Sequence, residues 1–199
     1  MTQIRGYVLA GGKSSRMGTD KALLPVNQRF AIERQCELLQ PFCDQGVFIA
    51  GSVSAELDQQ RWPVVKDDVS HQGPLSGILS AIRHAQQGIA IIIAVDLLTL
   101  THGDIVDLLD QVSLNETPTH DVYFAQSHSD QSDQGSQPLC AIWSVESCLP
   151  VLSHQFEAKQ RSVVKAWLDL KRQPVVIHDS HLTNVNSPTD FEKFQQSKG

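Results

Sequence analysis

Residues Leu9 to Lys21 read Leu-Ala-Gly-Gly-Lys-Ser-Ser-Arg-Met-Gly-Thr-Asp-Lys, a combination suited to cradling a polyphosphate. Gly11, Gly12 and Gly18 carry no Cβ, so main-chain N–H groups can approach a ligand closely and form a concavity for anions. Arg16 and Lys21 add full positive charge, and a guanidinium can grip two phosphate oxygens at once. Two common phosphate motifs do not fit. A Walker A loop closes on Gly-Lys-Ser/Thr, whereas Lys21 lies between Asp20 and Ala22. The dinucleotide fingerprint needs Gly-x-Gly-x-x-Gly, and here two glycines are adjacent. The plainer alternative is an ordinary surface loop.

Asp96 is the second chemical candidate. It follows Ile89-Ala90-Ile91-Ile92-Ile93-Ala94-Val95, an apolar run without alternation that marks a parallel strand covered on both faces. A carboxylate there lies at the carboxyl edge of the sheet, where open α/β folds bind ligands. Magnesium prefers oxygen, and one or two carboxylates usually hold it together with substrate phosphates. Asp96 is therefore a candidate Mg²⁺ ligand beside phosphates cradled by residues 11 to 21. A helix cap or an ion-pair partner is the other fate open to it. His178 and His181 are three apart, but Asp179 and Ser180 between them read as a loop, and no zinc site is expected.

Periodicity supplies the elements that must position these groups. Gly6 to Ala10 reads as a first buried strand emptying into the glycine-rich turn. Phe30 to Leu39 has helical spacing, with Ile32, Cys36 and Leu39 on one face. Gly46 to Ala50 and Trp62 to Lys66 are further strands, the latter ending at Asp67-Asp68. Pro74 is suited to open a helix that runs to about Gln87, and Thr101 to cap another over His102 to Val112. Asp121 to Ala125 and Pro138 to Trp143 flank the polar stretch Gln126 to Gln137, which is either a hairpin tip or a mobile lid. Residues 144 to 170 are expected to be helical in two pieces, with a break or kink near Pro150. A last strand covers Pro174 to Ile177, and Ser187 and Pro188 open the C-terminal helix. Alternating strands and helices predict an α/β fold: a three-layer, doubly wound, Rossmann-like sheet, mostly parallel, in one domain.

Composition narrows the functional class. Of 199 residues 41% are apolar and 19% charged, enough for a full core. The net charge of −6 argues against a nucleic-acid partner, which needs a basic face. Cys36, Cys43, Cys140 and Cys148 form no C-x-x-C pair, and free thiols in a reducing cytoplasm are expected. No signal-peptide pattern is evident and no apolar run approaches the roughly 20 residues of a membrane span. A cytoplasmic protein without membrane contact is expected.

The run from Leu9 to Lys21 resembles the signature of doubly wound nucleotidyltransferases, Leu-Ala-Gly-Gly-x-x-x-Arg-Met-Gly-x-Asp-Lys. Within them the chain is most similar to the molybdenum cofactor guanylyltransferases, which join GMP to molybdopterin. Gly73-Pro74-Leu75-Ser76-Gly77 nearly repeats that family's Gly-Pro-Leu-Ala-Gly. Asn184-Val185-Asn186-Ser187-Pro188 matches its Asn-x-Asn-Thr-Pro, with Ser187 for Thr.

The resemblance implies that Leu9, Ala10, Gly11, Gly12, Lys21, Asp67 and Asp96 bind the nucleotide, with Asp68 as a rival to Asp67. It assigns Mg²⁺ to Asp96, catalysis to Arg16, Lys21 and Asp96, and the acceptor to Gly77, Asn184 and Asn186. For the two asparagines local turn capping is the alternative. About 1–100 would then form the nucleotide-binding part and about 101–199 the acceptor part. Two departures stand out. Val95-Asp96-Leu97-Leu98 replaces the usual Cys-Asp-x-Pro, and Ala50 stands where some relatives place an Asn that helps bind GTP, leaving guanine to backbone groups or Ser52.

The implied activity is transfer of GMP from GTP to the terminal phosphate of molybdopterin or Mo-molybdopterin, with release of pyrophosphate. Molybdenum-insertion proteins and apo-molybdoenzymes are the implied protein partners. Beside it stand a molybdopterin cytidylyltransferase, a sugar- or polyol-phosphate nucleotidyltransferase, and a regulatory nucleotide-binding protein without turnover.

Overall fold

The computed structural model describes residues 2–11, 20–53, 57, 59–66, 73–113 and 118–196. Gly12, Arg16, Gly18, Asp67 and Asp68 lie outside these residues. In chain order the strands are β1 (Ile4–Ala10), β2 (Pro25–Val26), β3 (Arg29–Phe30), β4 (Val47–Gly51), β5 (Val64–Val65), β6 (Ile89–Ala94), β7 (Val122–Ser127), β8 (Ser136–Ser144) and β9 (Arg172–Ile177). The helices are α1 (Ala31–Leu39), α2 (Pro74–Ala85), α3 (His102–Leu109), α4 (Val145–Glu157), α5 (Val163–Ala166) and α6 (Pro188–Gln196).

The main sheet has seven strands in the order β5-β4-β1-β6-β8-β7-β9. Only β8 runs against the others; it pairs antiparallel with both β6 and β7. The carboxyl ends of β1, β4, β6, β7 and β9 therefore meet at one edge. A mostly parallel, three-layer α/β sheet is what the sequence pattern predicts.

Strand β6 shows why the fold is two-sided. Ile89, Ile91 and Ile93 join the apolar layer made with α1, α3 and α6, while Ala90 and Ile92 join the layer made with α2, α4 and α5. All six of its residues are buried, which explains the unbroken apolar run. Full burial of an isoleucine contributes on the order of 1.5–3 kcal/mol, so this strand anchors the loop that follows it.

Several local expectations need correction. The helix after β8 does not break near Pro150; α4 continues through it to Glu157. Proline in mid-helix removes one main-chain hydrogen bond, and burial of Cys148 and Leu152 on either side holds the helix together. The chain leaves the helix later, around Lys159, whose φ is +63°. The third strand is also shorter than expected: Trp62 is packed into the core and pairing is confined to Val64–Val65. The helix α2 stops at Ala85, because Gln86 takes a left-handed φ of +65°. Residues 25–30 hold an unforeseen small hairpin, β2 and β3, turned at Asn27 and Gln28 with φ of +48° and +66°. Positive φ at both turn positions matches the twist of the paired strands.

The polar stretch after β7 is a hairpin tip tied down by hydrogen bonds. Gln126 Nε2 donates to the carbonyls of Asp130 and Ser132, and Ser136 Oγ donates to Gln126 Oε1. Asp179 accepts from Ser127 Oγ and Ser129 N, which fastens the tip to the end of β9. The Ser129 hydroxyl, followed by the Ser127 hydroxyl and the Ser129 N–H, holds the Asp179 carboxyl well below the usual carboxylate range.

Candidate active site

Lys21 is fixed by the residue before it. Asp20 accepts a hydrogen bond from Ala22 N at 3.0 Å, and Leu23 N donates to Asp20 O at 3.0 Å, closing a single 3-10 turn over Lys21–Leu23. Ala22 is buried in the layer beneath, so the Lys21 side chain is directed from an anchored turn. A short polar side chain such as Asp20 is well suited to this capping role.

Asp96 is placed by β6 and by a buried amide. Val95 N donates to Leu9 O at 3.2 Å, joining the ends of β1 and β6. Beyond that point Leu97 N donates to Ala94 O at 3.3 Å, which makes the turn that carries Asp96. Gln35 of α1 is fully buried, and its Nε2 donates to Leu97 O at 2.8 Å and reaches Ala94 O at 3.4 Å. The turn is thus built without a proline, with Leu98 following Leu97.

The two charged groups meet. Lys21 Nζ donates to Asp96 Oδ2 at 3.5 Å, and the two side chains are about one-fifth exposed, at 21% and 22%. The same ammonium donates to Asn186 Oδ1 at 2.5 Å. Asn186 is brought there by the segment between β9 and α6: Val185 is buried and its N–H donates to Asp96 O at 2.9 Å. Ser187 Oγ accepts from Asp190 N, so Ser187 caps α6 as its sequence suggests. Lys21, Asp96 and Asn186, far apart in the chain, form one cluster at the carboxyl edge.

The remaining candidates are distributed around it. Leu9 and Ala10 end β1, and Gly11 leaves it with φ of +135°, with no atom of the described residues within 4 Å of where a Cβ would stand. Gly51, across from Ala10 in the β1–β4 pairing, has φ of +120°, and a Cβ there would meet Ala10 O at 1.9 Å. Sequence reasoning passes over Gly51, although a glycine at a strand end is a signal of close backbone approach. Asn184 is half-buried on the same segment as Asn186, and its amide makes no hydrogen bond among the described residues. Gly77 is buried near the start of α2, in the layer on the opposite face of the sheet from Lys21. Gly12, Arg16, Asp67 and Asp68 are outside the described residues, so Asp67 and Asp68 stay unranked.

Other chemistries find little support. The four cysteines are free thiols. Burial pushes Cys43 and Cys140 up to about 12 and raises Cys36 and Cys148 further, the opposite of an activated nucleophile. No group of three or more His, Cys, Asp or Glu side chains is arranged to hold a metal among the described residues. Among the described residues no helix is long and apolar enough to cross a membrane.

Comparison with known proteins bears on the family and the fold. The family described as the MobA-like NTP transferase domain matches residues 6–178. A "Probable molybdenum cofactor guanylyltransferase" of Rhodopirellula baltica is 31% identical over 194 residues, covering 94% of this chain and 89% of that protein. The protein of the same name in Carboxydothermus hydrogenoformans is 30% identical over 201 residues, covering 97% and 95%. Among solved structures, molybdopterin-guanine dinucleotide biosynthesis protein A of Archaeoglobus fulgidus superposes with a TM-score of 0.75 at 18% identity, covering 98% of this chain and all (100%) of that one. Rv0371C of Mycobacterium tuberculosis, solved as a complex with manganese, superposes with a TM-score of 0.66 at 16% identity, covering 98% and 100%. These two likenesses bear on the fold. With the family match spanning most of the sequence, the chain belongs to the MobA-like NTP transferase family and is a nucleotidyltransferase.

Proposed function

We propose that the protein transfers GMP from GTP to the terminal phosphate of molybdopterin or Mo-molybdopterin and releases pyrophosphate. The observation that carries this reading is the contact of one ammonium, Lys21 Nζ, with Asp96 and with Asn186. The first partner belongs to the part expected to hold the nucleotide, the second to the part expected to hold the acceptor. Such a cation lies where two polyanions have to meet.

In the proposed reaction an oxygen of the acceptor phosphate attacks the α-phosphorus of GTP as the bond to pyrophosphate breaks. A phosphate nucleophile is already ionised at neutral pH, so no general base is required. The work left to the protein is positioning and charge compensation. Lys21 supplies positive charge at the junction. Arg16 would add to it from the glycine-rich turn, whose backbone N–H groups would cradle the phosphates. Asp67, with Asp68 as its rival, would contact the nucleotide beside Leu9, Ala10, Gly11 and Gly12, while Gly77, Asn184 and Asn186 would meet the acceptor. Asn carries both a donor and an acceptor, which suits a pterin ring or its phosphate tail.

Asp96 would hold Mg²⁺. Its single, partly exposed carboxylate at the carboxyl edge fits an ion that takes one or two carboxylates and fills its shell with water and phosphate oxygens. When bound, Mg²⁺ neutralises charge on the triphosphate. Asp96 also orients Lys21 through their ion pair.

Choice of base is the open specificity question. Ala50 is 1% exposed, so its side chain offers nothing to a guanine, and backbone groups or the exposed Ser52 would have to serve. With no side-chain contact to guanine from Ala50, cytidylyl transfer stands as the second reading. Pyrophosphate release with molybdopterin, Mg²⁺ and each of GTP, CTP, ATP and UTP tests both. GTP-dependent release supports the first reading, release with CTP alone the second, and no release with any of them would overturn both.

A further inference from the structure

We propose that Asp104 and His181 form a positioning pair that sets the acceptor-binding segment between β9 and α6. The inference rests on the reading that Asn184 and Asn186 meet the acceptor, and it assigns a role to two residues outside that set.

Asp104 does more than cap its own helix. Its Oδ2 accepts from Thr101 N and Thr101 Oγ1, both at 2.8 Å, which completes the N-terminal cap of α3. The other oxygen, Oδ1, is not needed for the cap. It accepts from His181 Nδ1 at 2.9 Å, across 77 positions of sequence. The Asp104 side chain is only 6% exposed and His181 is 36% exposed, so the contact runs from a buried carboxylate outward to the segment. With a carboxylate as its partner, Nδ1 carries the proton, and the imidazole orientation is fixed.

The segment beyond His181 has local ties, with Leu182 N and Thr183 Oγ1 donating to Asp179 O at 3.1 and 3.5 Å and Asn186 N donating to Asp190 Oδ2 at 3.1 Å. Three further ties reach other elements or the core. His181 O accepts from Thr99 Oγ1 at 2.8 Å, Leu182 is buried, and Val185 N donates to Asp96 O at 2.9 Å. Between these points lie Thr183 and Asn184, and immediately after them comes Asn186 on Lys21. The loop after β6 and the start of α3 thus grip the segment at His181 and at Val185, and what they hold between and beyond is the pair of asparagines. Loss of the first grip leaves the fold in place and loosens the placement of Asn184 and Asn186, the kind of displacement that costs rate without direct contact.

Isosteric replacement separates positioning from mere packing. The Nδ2 of an asparagine occupies nearly the place of a histidine Nδ1, so H181N keeps the hydrogen bond and H181A removes it. In steady-state pyrophosphate release, His181→Ala is expected to raise KM for molybdopterin roughly tenfold, the worth of one charge-assisted hydrogen bond. KM for GTP should stay within about twofold, and His181→Asn should recover most of the loss. An unchanged acceptor KM in His181→Ala, or an equal rise for GTP, would overturn the proposal. If the wild-type protein itself fails to turn over, the functional reading is at fault, and amide exchange then decides on the pair. Faster exchange at Val185 in His181→Ala, restored in His181→Asn, supports the grip; unchanged exchange rejects it.

Discussion

Lys21 Nζ touches Asn186 Oδ1 across 165 positions of sequence while the same ammonium pairs with Asp96 Oδ2. The cation that closes the glycine-rich stretch is therefore already committed to both halves of the sheet edge. Lys21→Ala and Asp96→Ala should each lower turnover by roughly 100- to 1,000-fold, the usual effect of deleting a charge-stabilising group. Both side chains are partly exposed, and pairs of this kind contribute about 0–1 kcal/mol to stability. The melting temperature of either variant should then lie within a few degrees of the wild type, and turnover near the wild-type level would remove that residue from the catalytic set.

Gln35 is a buried amide that serves the Asp96 turn, and this dependence can be measured. Replacing it with Leu leaves the Leu97 carbonyl without its 2.8 Å donor inside the core. An orphaned buried acceptor costs about 1–3 kcal/mol, and for a domain of this size each 1 kcal/mol is worth about 2–4 °C. Gln35→Leu should show that loss in calorimetry together with weaker Mg²⁺–GTP binding. Normal binding in a protein that is merely less stable would sever Gln35 from the site.

Gly51 meets Ala10 where β4 and β1 end, and a Cβ at Gly51 would fall 1.9 Å from Ala10 O, which leaves no room for a side chain. Gly51→Ala must shift backbone and adopt a strained φ, at a cost of order 1–3 kcal/mol. Because β1 feeds the glycine-rich turn, GTP affinity should fall along with the melting temperature. A variant as stable and as tight-binding as the wild type would contradict the close packing of these two strand ends.

The buried thiols predict a pH dependence. Burial raises the folded-state values of all four cysteines above the unfolded value of about 8.5. A raised folded value means that the stabilisation is fully present below about pH 8.5 and fades as the pH rises, since the unfolded chain then releases protons that the folded chain keeps. Urea midpoints should decline between pH 8 and 10 and stay level from 7 to 8. A flat profile to pH 10 would show that the thiols ionise equally well in the folded protein.

Much of this arrangement is legible in the residues themselves. The apolar run of β6 has only one comfortable home, the middle of a sheet covered on both faces, so the place of Asp96 at its end follows directly. Lys21 is legible as a cation at this edge because it follows closely on the strand that Leu9 and Ala10 end. Of the break or kink that Pro150 suggests, the break does not occur, because burial of Cys148 and Leu152 carries α4 through it. The hairpin at residues 25–30 escapes notice because Asn27-Gln28 lacks the glycine that usually marks such a turn. His181 and Asp104 cannot be paired from the chain alone: they are brought together only by the loop after β6 and the return of β9 to the same edge. The close approach of Gly51 to Ala10 likewise depends on which strands become neighbours.

A nucleoside triphosphate with its divalent ion is expected to lie against Lys21 and Asp96 at the carboxyl edge of the sheet. Paramagnetic broadening tests this most directly, with the protein titrated by Mn²⁺–GTP and the effect reversed by excess Mg²⁺. Amides at Lys21, Val95 to Leu97 and Asn186 should broaden selectively, with Gly88 and Ser144 at the opposite end of the sheet unaffected. Broadening centred elsewhere, or none at saturating GTP, would contradict that placement.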